Sequence, residues 1–110
     1  MSWIDVAALD DIPLRGARIV KTHAGCIALF RTDEEEVFAT SNKCAHEGGP
    51  LSEGLVQGRQ VTCPLHNWVY SLETGEAQGA DEGTIATYPV RLENGRILLD
   101  AQSITARSAA

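Results

Sequence analysis

Two short segments that each combine a cysteine with a histidine constrain this chain more than any other feature of its sequence. The first is Cys44-Ala45-His46 and the second is Cys63-Pro64-Leu65-His66, with sixteen residues between His46 and Cys63. Gly48, Gly49 and Pro50 follow the first segment and Pro64 lies in the second, which indicates loops at both places. Two thiolates and two imidazoles are suitable metal ligands. The fold must therefore bring two distant loops to one place.

Three interpretations of these four residues differ in what the loops would hold. The two cysteines can bind one iron and the two histidines another, as in a [2Fe–2S] centre with mixed ligands. The same residues can bind one zinc ion, or they can be two core cysteines and two unrelated surface histidines. Zinc fingers usually pair like with like on each segment, whereas each segment here is mixed. The mixed C-x-H and C-x-x-H spacing favours the iron–sulfur centre.

With these motifs the chain resembles the Rieske family, and the similarity runs from Trp3 to about Asp100. Within that family it is most similar to the small subunit of assimilatory NAD(P)H-dependent nitrite reductase. The segments that carry this finer resemblance are CPLHNWVYSLETGE and GADEGTIATYPVRLENGRILL. The resemblance implies a Rieske-type [2Fe–2S] cluster with Cys44, His46, Cys63 and His66 as ligands.

The ligand loops also contain residues suited to support a cluster. Gly48 and Gly49 follow the first motif, where backbone N–H groups could approach the cluster sulfides closely. Pro64 fixes φ near −65° and stiffens the second loop. A stiff loop changes little between oxidation states, which favours fast electron transfer.

The resemblance also predicts the reduction potential. The cysteines that form a disulfide in high-potential Rieske proteins correspond to Gly49 and Leu65, and a serine that donates to a sulfide corresponds to Trp68. The tyrosine of that set is kept as Tyr70, whose hydroxyl could donate to a cysteine sulfur. Fewer donors stabilise the reduced state less, so we expect a potential near the lower end of the Rieske range, about −150 mV.

The length of 110 residues suits one domain with one core, which we place at residues 1–100 with a frayed polar tail at 101–110. The formal net charge of −6 argues against nucleic acid and anionic membranes as partners. From residues 1–11 and the lack of a long apolar run we expect neither a signal peptide nor a membrane-spanning stretch. If two cysteines bind iron, Cys26 is left without a disulfide partner. A reducing cytoplasm is the expected location.

Short alternating apolar segments separated by turn residues predict an all-β fold. The Rieske resemblance implies the same, a β-sandwich or partly open barrel with a loop-built cluster-binding subdomain. We expect strands or hairpin arms at Trp3–Val6, Arg18–His23, Cys26–Phe30, Val37–Ala39, Gln60–Thr62, Val69–Ser71, Ala86–Leu92 and Ile97–Asp100. The conspicuous residues outside the motifs are interpreted as structural: His23 and Asp33 to Glu36 as solvated turns, and Cys26 as a small buried apolar residue.

No nucleotide-binding glycine loop and no catalytic triad is present in the sequence, so we expect an electron-transfer subunit of an oxidoreductase that is not itself catalytic. The finer resemblance favours the nitrite reductase small subunit, whose partner is a large subunit with sirohaem and flavin and which serves nitrate assimilation. The alternative is a freestanding Rieske ferredoxin that serves a ring-hydroxylating oxygenase and its reductase. A third possibility is a structural or redox-sensing metal module.

Overall fold

The structure is a computed structural model and describes residues 3–22, 25–32, 36–42, 51–64, 68–78, 83–100 and 102. Within these ranges the regular structure consists of antiparallel strands and two single 3₁₀ turns, at Leu9–Asp11 and Leu51–Glu53, which confirms the all-β prediction. The strands are β1 Trp3–Ala8, β2 Ala17–Thr22, β3 Gly25–Arg31, β4 Val37–Ser41, β5 Leu55–Gln57, β6 Gln60–Thr62, β7 Val69–Ser71, β8 Thr87–Tyr88, β9 Val90–Glu93 and β10 Arg96–Asp100. No helix in the described part of the chain is long and apolar enough to cross a membrane.

The strands form three sheets with the orders β1-β10-β9, β2-β3-β4-β8 and β5-β6-β7, here named sheets A, B and C. Among the expected strands and hairpin arms, β2 pairs with β3 and β9 pairs with β10, both antiparallel. The second hairpin turns at Asn94-Gly95, whose φ angles are 52° and 76°. Two positive φ values are what a tight type I′ turn requires, and Asn-Gly is its preferred sequence.

Sheet B lies between the other two sheets, and β3 is buried on both faces. Ile27 and Leu29 belong to a hydrophobic cluster with residues of sheet A. Ala28 and Phe30 point the other way, into a cluster with residues of sheet C. Alternate side chains of a strand face opposite sides, so a strand between two layers needs an unbroken apolar run, as in CIALF. The described residues thus form two clusters that share one strand, where length alone predicted one core.

Two strand predictions require correction. The segment Ala86–Leu92 is divided at Pro89: β8 pairs with β4 in sheet B, whereas β9 pairs with β10 in sheet A. Proline has no N–H to donate, so it suits the point at which a chain changes sheets. The strand β5 was not predicted, because its three residues lie between Gly54 and Gly58 and show too little alternation to recognise.

Candidate metal centre

The second ligand loop leaves the end of β6 and is closed by a hydrogen bond. Cys63 follows the strand directly, its side chain is fully buried, and it belongs to the cluster beneath sheet C. Its backbone N–H donates to the Trp68 carbonyl oxygen at 2.7 Å, where the chain returns into β7. Pro64 lies in this closed loop and is exposed. The loop therefore has a fixed base and places one thiol in the protein interior.

The first ligand loop is closed in a similar way at the end of β4. The side-chain Oδ1 of Asn42 accepts a hydrogen bond from the Ser52 backbone N–H at 2.8 Å. Asn42 and Ser52 lie on either side of residues 43–50, and Leu51 beside Ser52 is fully buried. Each predicted ligand loop is therefore held at its base by a hydrogen bond between the residues that flank it.

The bases of the two loops are adjacent because Gly54 connects them. Gly54 lies two residues beyond Ser52, and a Cβ added to it would lie only 2.2 Å from the Thr62 carbonyl oxygen, just before Cys63. Only glycine permits this approach of β5 to β6. Gly54 was not predicted from the sequence, although a glycine between a turn and a three-residue strand is the kind of signal that marks close backbone contact.

An ion-pair network joins sheet C to sheet B at the end remote from the ligand loops. The Arg59 guanidinium donates to both carboxylate oxygens of Glu36, at 3.3 and 2.7 Å, and lies 3.6 Å from Glu73. The hydrogen bond from Arg59 holds the pKa of Glu36 below its ordinary value of 4.5, with a further contribution from the opposite charge. The forked pair fixes the turn before β6 against the start of β4, so both strands run from the same anchor toward the ligand loops.

Two aromatic side chains, Trp68 and Tyr70, lie where the chain leaves the second ligand loop and enters β7. Trp68 and Tyr70 have ring centroids 6.5 Å apart at an interplanar angle of 41°. Tyr70 is fully buried in the same hydrophobic cluster as Cys63, and Trp68 is half-buried against that hydrophobic cluster. A buried tyrosine hydroxyl usually has a hydrogen-bond partner, and the proposed bond to a cysteine sulfur stays a prediction.

The remaining predicted site residues lie outside the described residues, namely Cys44, His46, Gly48, Gly49 and His66. Of the four predicted ligands, only Cys63 lies within the described ranges. Consequently no group of three or more histidine, cysteine and carboxylate side chains that could hold a metal is found among the described residues. His23 and residues 33–35 also lie outside these ranges.

The prediction that Cys26 is buried is wrong, because its side chain is exposed. It lies in β3 opposite Lys21 of β2, near the hairpin end of the strand. The clusters on the two faces begin only with the next residues, Ile27 and Ala28. Hydropathy could not show that the first residue of the CIALF run lies beyond both packing layers.

Comparison with known proteins agrees with this geometry. The family model described as "Rieske-like [2Fe-2S] domain" matches residues 2–100. A ferredoxin component of the naphthalene 1,2-dioxygenase/salicylate 5-hydroxylase systems of Ralstonia sp. is 41% identical over 99 residues, 89% of this chain and 94% of the relative. The naphthalene 1,2-dioxygenase ferredoxin component of Pseudomonas putida is 39% identical over 102 residues, 91% of this chain and 96% of the relative. A crystal structure titled as a putative NADH-dependent nitrite reductase small subunit from Mycobacterium tuberculosis superposes with a TM-score of 0.80 at 27% identity, covering 89% of this chain and 93% of the other.

Proposed function

Because this chain belongs to the Rieske-like [2Fe-2S] domain family, we propose that it is the ferredoxin component of an aromatic-ring dioxygenase system. Membership gives the chain a Rieske-type [2Fe–2S] cluster and an electron-transfer role. The observation that carries the finer proposal is the 41% identity, over nearly the whole length of both chains, to a dioxygenase ferredoxin component. In this role the chain accepts one electron from a reductase and donates it to an oxygenase.

The proposed ligands are Cys44 and Cys63 for one iron and His46 and His66 for the other. Two neutral imidazoles in place of two thiolates make such a centre easier to reduce than an all-cysteine one. The described part of the site fits this group, because Cys63 presents a buried thiol from a loop with a closed base. The adjacent bases of the two loops would hold both ligand pairs against the same end of the molecule.

The chain's own residues would keep the centre rigid and dry. The hydrogen bonds from Cys63 N–H to the Trp68 carbonyl and from Ser52 N–H to Asn42 Oδ1 fix the residues that flank the two loops. The buried Tyr70 and the half-buried Trp68 pack in the same hydrophobic cluster as Cys63 and give that residue apolar surroundings. Fixed flanking residues and apolar surroundings would both reduce the reorganisation that accompanies a change of charge.

Reconstitution tests the dioxygenase proposal directly. With purified reductase and oxygenase components of a naphthalene dioxygenase system, we expect NADH-dependent naphthalene oxidation only when this chain is added. The Cys63→Ser variant is the matched control and should not support turnover. Failure of the wild-type chain to support turnover, at full cluster content, would argue against the proposal.

A second candidate is the small subunit of a nitrite reductase, which the sequence motifs favour. Its support is the structural similarity to the nitrite reductase small subunit, at an identity of 27%, which is lower than the identity to the dioxygenase ferredoxins. Copurification with a tagged sirohaem-containing large subunit distinguishes the two. Stable retention of this chain, together with nitrite reduction that requires it, would favour the nitrite reductase assignment.

Metal analysis tests the cofactor independently of any partner. Protein purified without oxygen should contain two irons and two acid-labile sulfides per chain, as a [2Fe–2S] cluster requires. One zinc per chain with no visible absorption would instead indicate the tetrahedral zinc site considered from the sequence.

A further inference from the structure

The outer face of sheet C carries a row of side chains that has no role in either hydrophobic cluster. Val56, Val61 and Tyr70 are paired across the sheet and point into the protein. Their neighbours must point outward because strand side chains alternate. The outward row, here named the outer row, contains Leu55, Thr62 and Val69, which are also paired across the sheet.

Leu55 is the most conspicuous member of the outer row. Its exposed fraction is 68%, the highest among the large apolar side chains of the described residues. Burial of a leucine side chain is favourable by an amount that scales with the area removed from water. Since Val56 already supplies the inward contact of β5, folding does not account for an apolar residue at position 55.

The outer row lies directly beside the second ligand loop. Thr62 is followed by Cys63, and Val69 is preceded by Trp68. The backbones of Cys63 and Trp68 are joined by the 2.7 Å hydrogen bond that closes the loop. A protein that covers the outer row would therefore approach the loop that presents Cys63. Close approach to the loops is the requirement for electron transfer to a partner.

The charges around the outer row are negative and unpaired within the described residues. Glu53 lies two residues before Leu55 and is exposed. Glu76 is also exposed, and its carbonyl accepts from the Ser71 N–H, which places it on the strand edge next to β7. Neither carboxylate forms an ion pair with another described residue, whereas Arg59 is occupied by Glu36 and Glu73. The net charge of the whole chain is −6.

We propose that the outer row is a docking contact for the oxygenase component, which would present an apolar recess for Leu55 with lysine and arginine residues at its rim. The inference rests on the proposed function, since that function supplies an electron acceptor. The apolar contact would contribute affinity, and the complementary charges would guide the encounter. The electron then passes from the reduced chain to the iron centre of the oxygenase, with one electron lost and one gained.

The test uses stopped-flow mixing of the dithionite-reduced, cluster-loaded chain with the oxygenase component of the Ralstonia naphthalene 1,2-dioxygenase/salicylate 5-hydroxylase systems. The dependence of the transfer rate on oxygenase concentration gives an apparent Kd and a limiting rate. We expect Leu55→Ala to raise the apparent Kd about tenfold, from the apolar area removed, and Leu55→Asp to raise it further. The limiting rate, the visible spectrum and the potential should not change.

The matched control is Leu14→Asp. Leu14 is 56% exposed but lies before β2, next to Arg15, whose N–H donates to the Thr32 carbonyl beyond the end of β3. Arg15 and Thr32 lie at the end of β3 opposite to Cys26, whose carbonyl accepts from the Asn42 N–H. Leu14 is therefore remote from Asn42 and the first ligand loop. We expect Leu14→Asp to behave as the wild-type chain does.

The outcomes separate the two proposals. If the wild-type chain transfers no electron to the oxygenase, the proposed function fails and this inference fails with it. If the wild-type chain transfers electrons and Leu55→Asp is equally effective, only the docking inference fails. It also fails if Leu14→Asp is equally impaired or if Leu55→Asp alters the potential.

Discussion

Replacement of Gly54 by alanine should weaken the chain through a steric contact beside the ligand loop. The added Cβ would lie 2.2 Å from the Thr62 carbonyl oxygen and 3.1 Å from that of Leu51. Both are backbone atoms, so no side chain can rotate away, and β5 or β6 must move. Overpacking of this kind costs about 1–3 kcal/mol, and a value of about 2 kcal/mol corresponds to about 30-fold in an equilibrium constant.

The displacement should act on cluster retention because Thr62 precedes Cys63. We expect the visible absorption of Gly54→Ala to decay about 30-fold faster than that of the wild-type chain at a fixed urea concentration, if the lost stability appears in the unfolding rate. Far-UV circular dichroism measured in parallel reports the backbone.

Gly58 provides a control in which the steric contribution is absent. Its φ is +58°, and a Cβ there would meet no atom within 4 Å. Gly58→Ala should therefore lose only the stability that the strained left-handed backbone costs, about 1–2 kcal/mol. Gly58→Asn should lose less stability, because asparagine tolerates that region. If Gly54→Asn is as stable as the wild-type chain, or if Gly54→Ala retains its iron–sulfur cluster equally long, the contact with the Thr62 carbonyl does not limit stability.

Three further predictions concern the ligands and the ion pair. Cys63→Ser should abolish the visible spectrum and leave less than one iron per chain, since its iron loses half of its protein ligands; full iron content would contradict the assignment. His66→Cys, where it retains a cluster, should have a lower potential by voltammetry because an anionic ligand replaces a neutral one; an unchanged potential would contradict the charge argument. Glu36→Gln should lower the melting temperature at about pH 6 but have less effect near pH 3. The pKa of Glu36 in the folded chain lies below its ordinary value of 4.5, so the contribution is complete above that value and is lost as the pH falls through the folded-state pKa. A difference between wild type and variant that grows toward acid would refute the role assigned to Arg59.

The strands could be predicted where a local pattern determines them. Alternation located β6 and β7, and the Asn94-Gly95 pair located the β9–β10 hairpin. The change of sheet at Pro89 depends on which strand lies alongside, a tertiary property that the sequence pattern does not contain. The exposed position of Cys26 has the same origin, because burial at a strand end depends on how far the covering layers extend.

The site and the partner were predictable to different degrees. Ligand spacing singled out Cys63 as a predicted ligand, and the structure shows that its backbone N–H bonds to the Trp68 carbonyl oxygen. Its binding of iron stays a prediction. The finer assignment to nitrite reductase used residues such as Trp68 and Tyr70, which pack against the cluster beneath sheet C. Packing residues report how the loop is supported in any family member. The partner is chosen by exposed residues, and the significance of Leu55 emerges only when its exposure and its neighbours are known.

The strand β3 determines how far this molecule can be treated as modular. Its alternate side chains complete one cluster through Leu29 and the other through Phe30. Transplanting the ligand-bearing half into another scaffold would therefore require β3 as well, because sheet C alone has no opposing apolar layer. Conversely, deleting that half would leave Ala28 and Phe30 facing water. We accordingly expect the protein to unfold in one cooperative thermal transition, in which sheet A and sheet C are lost together.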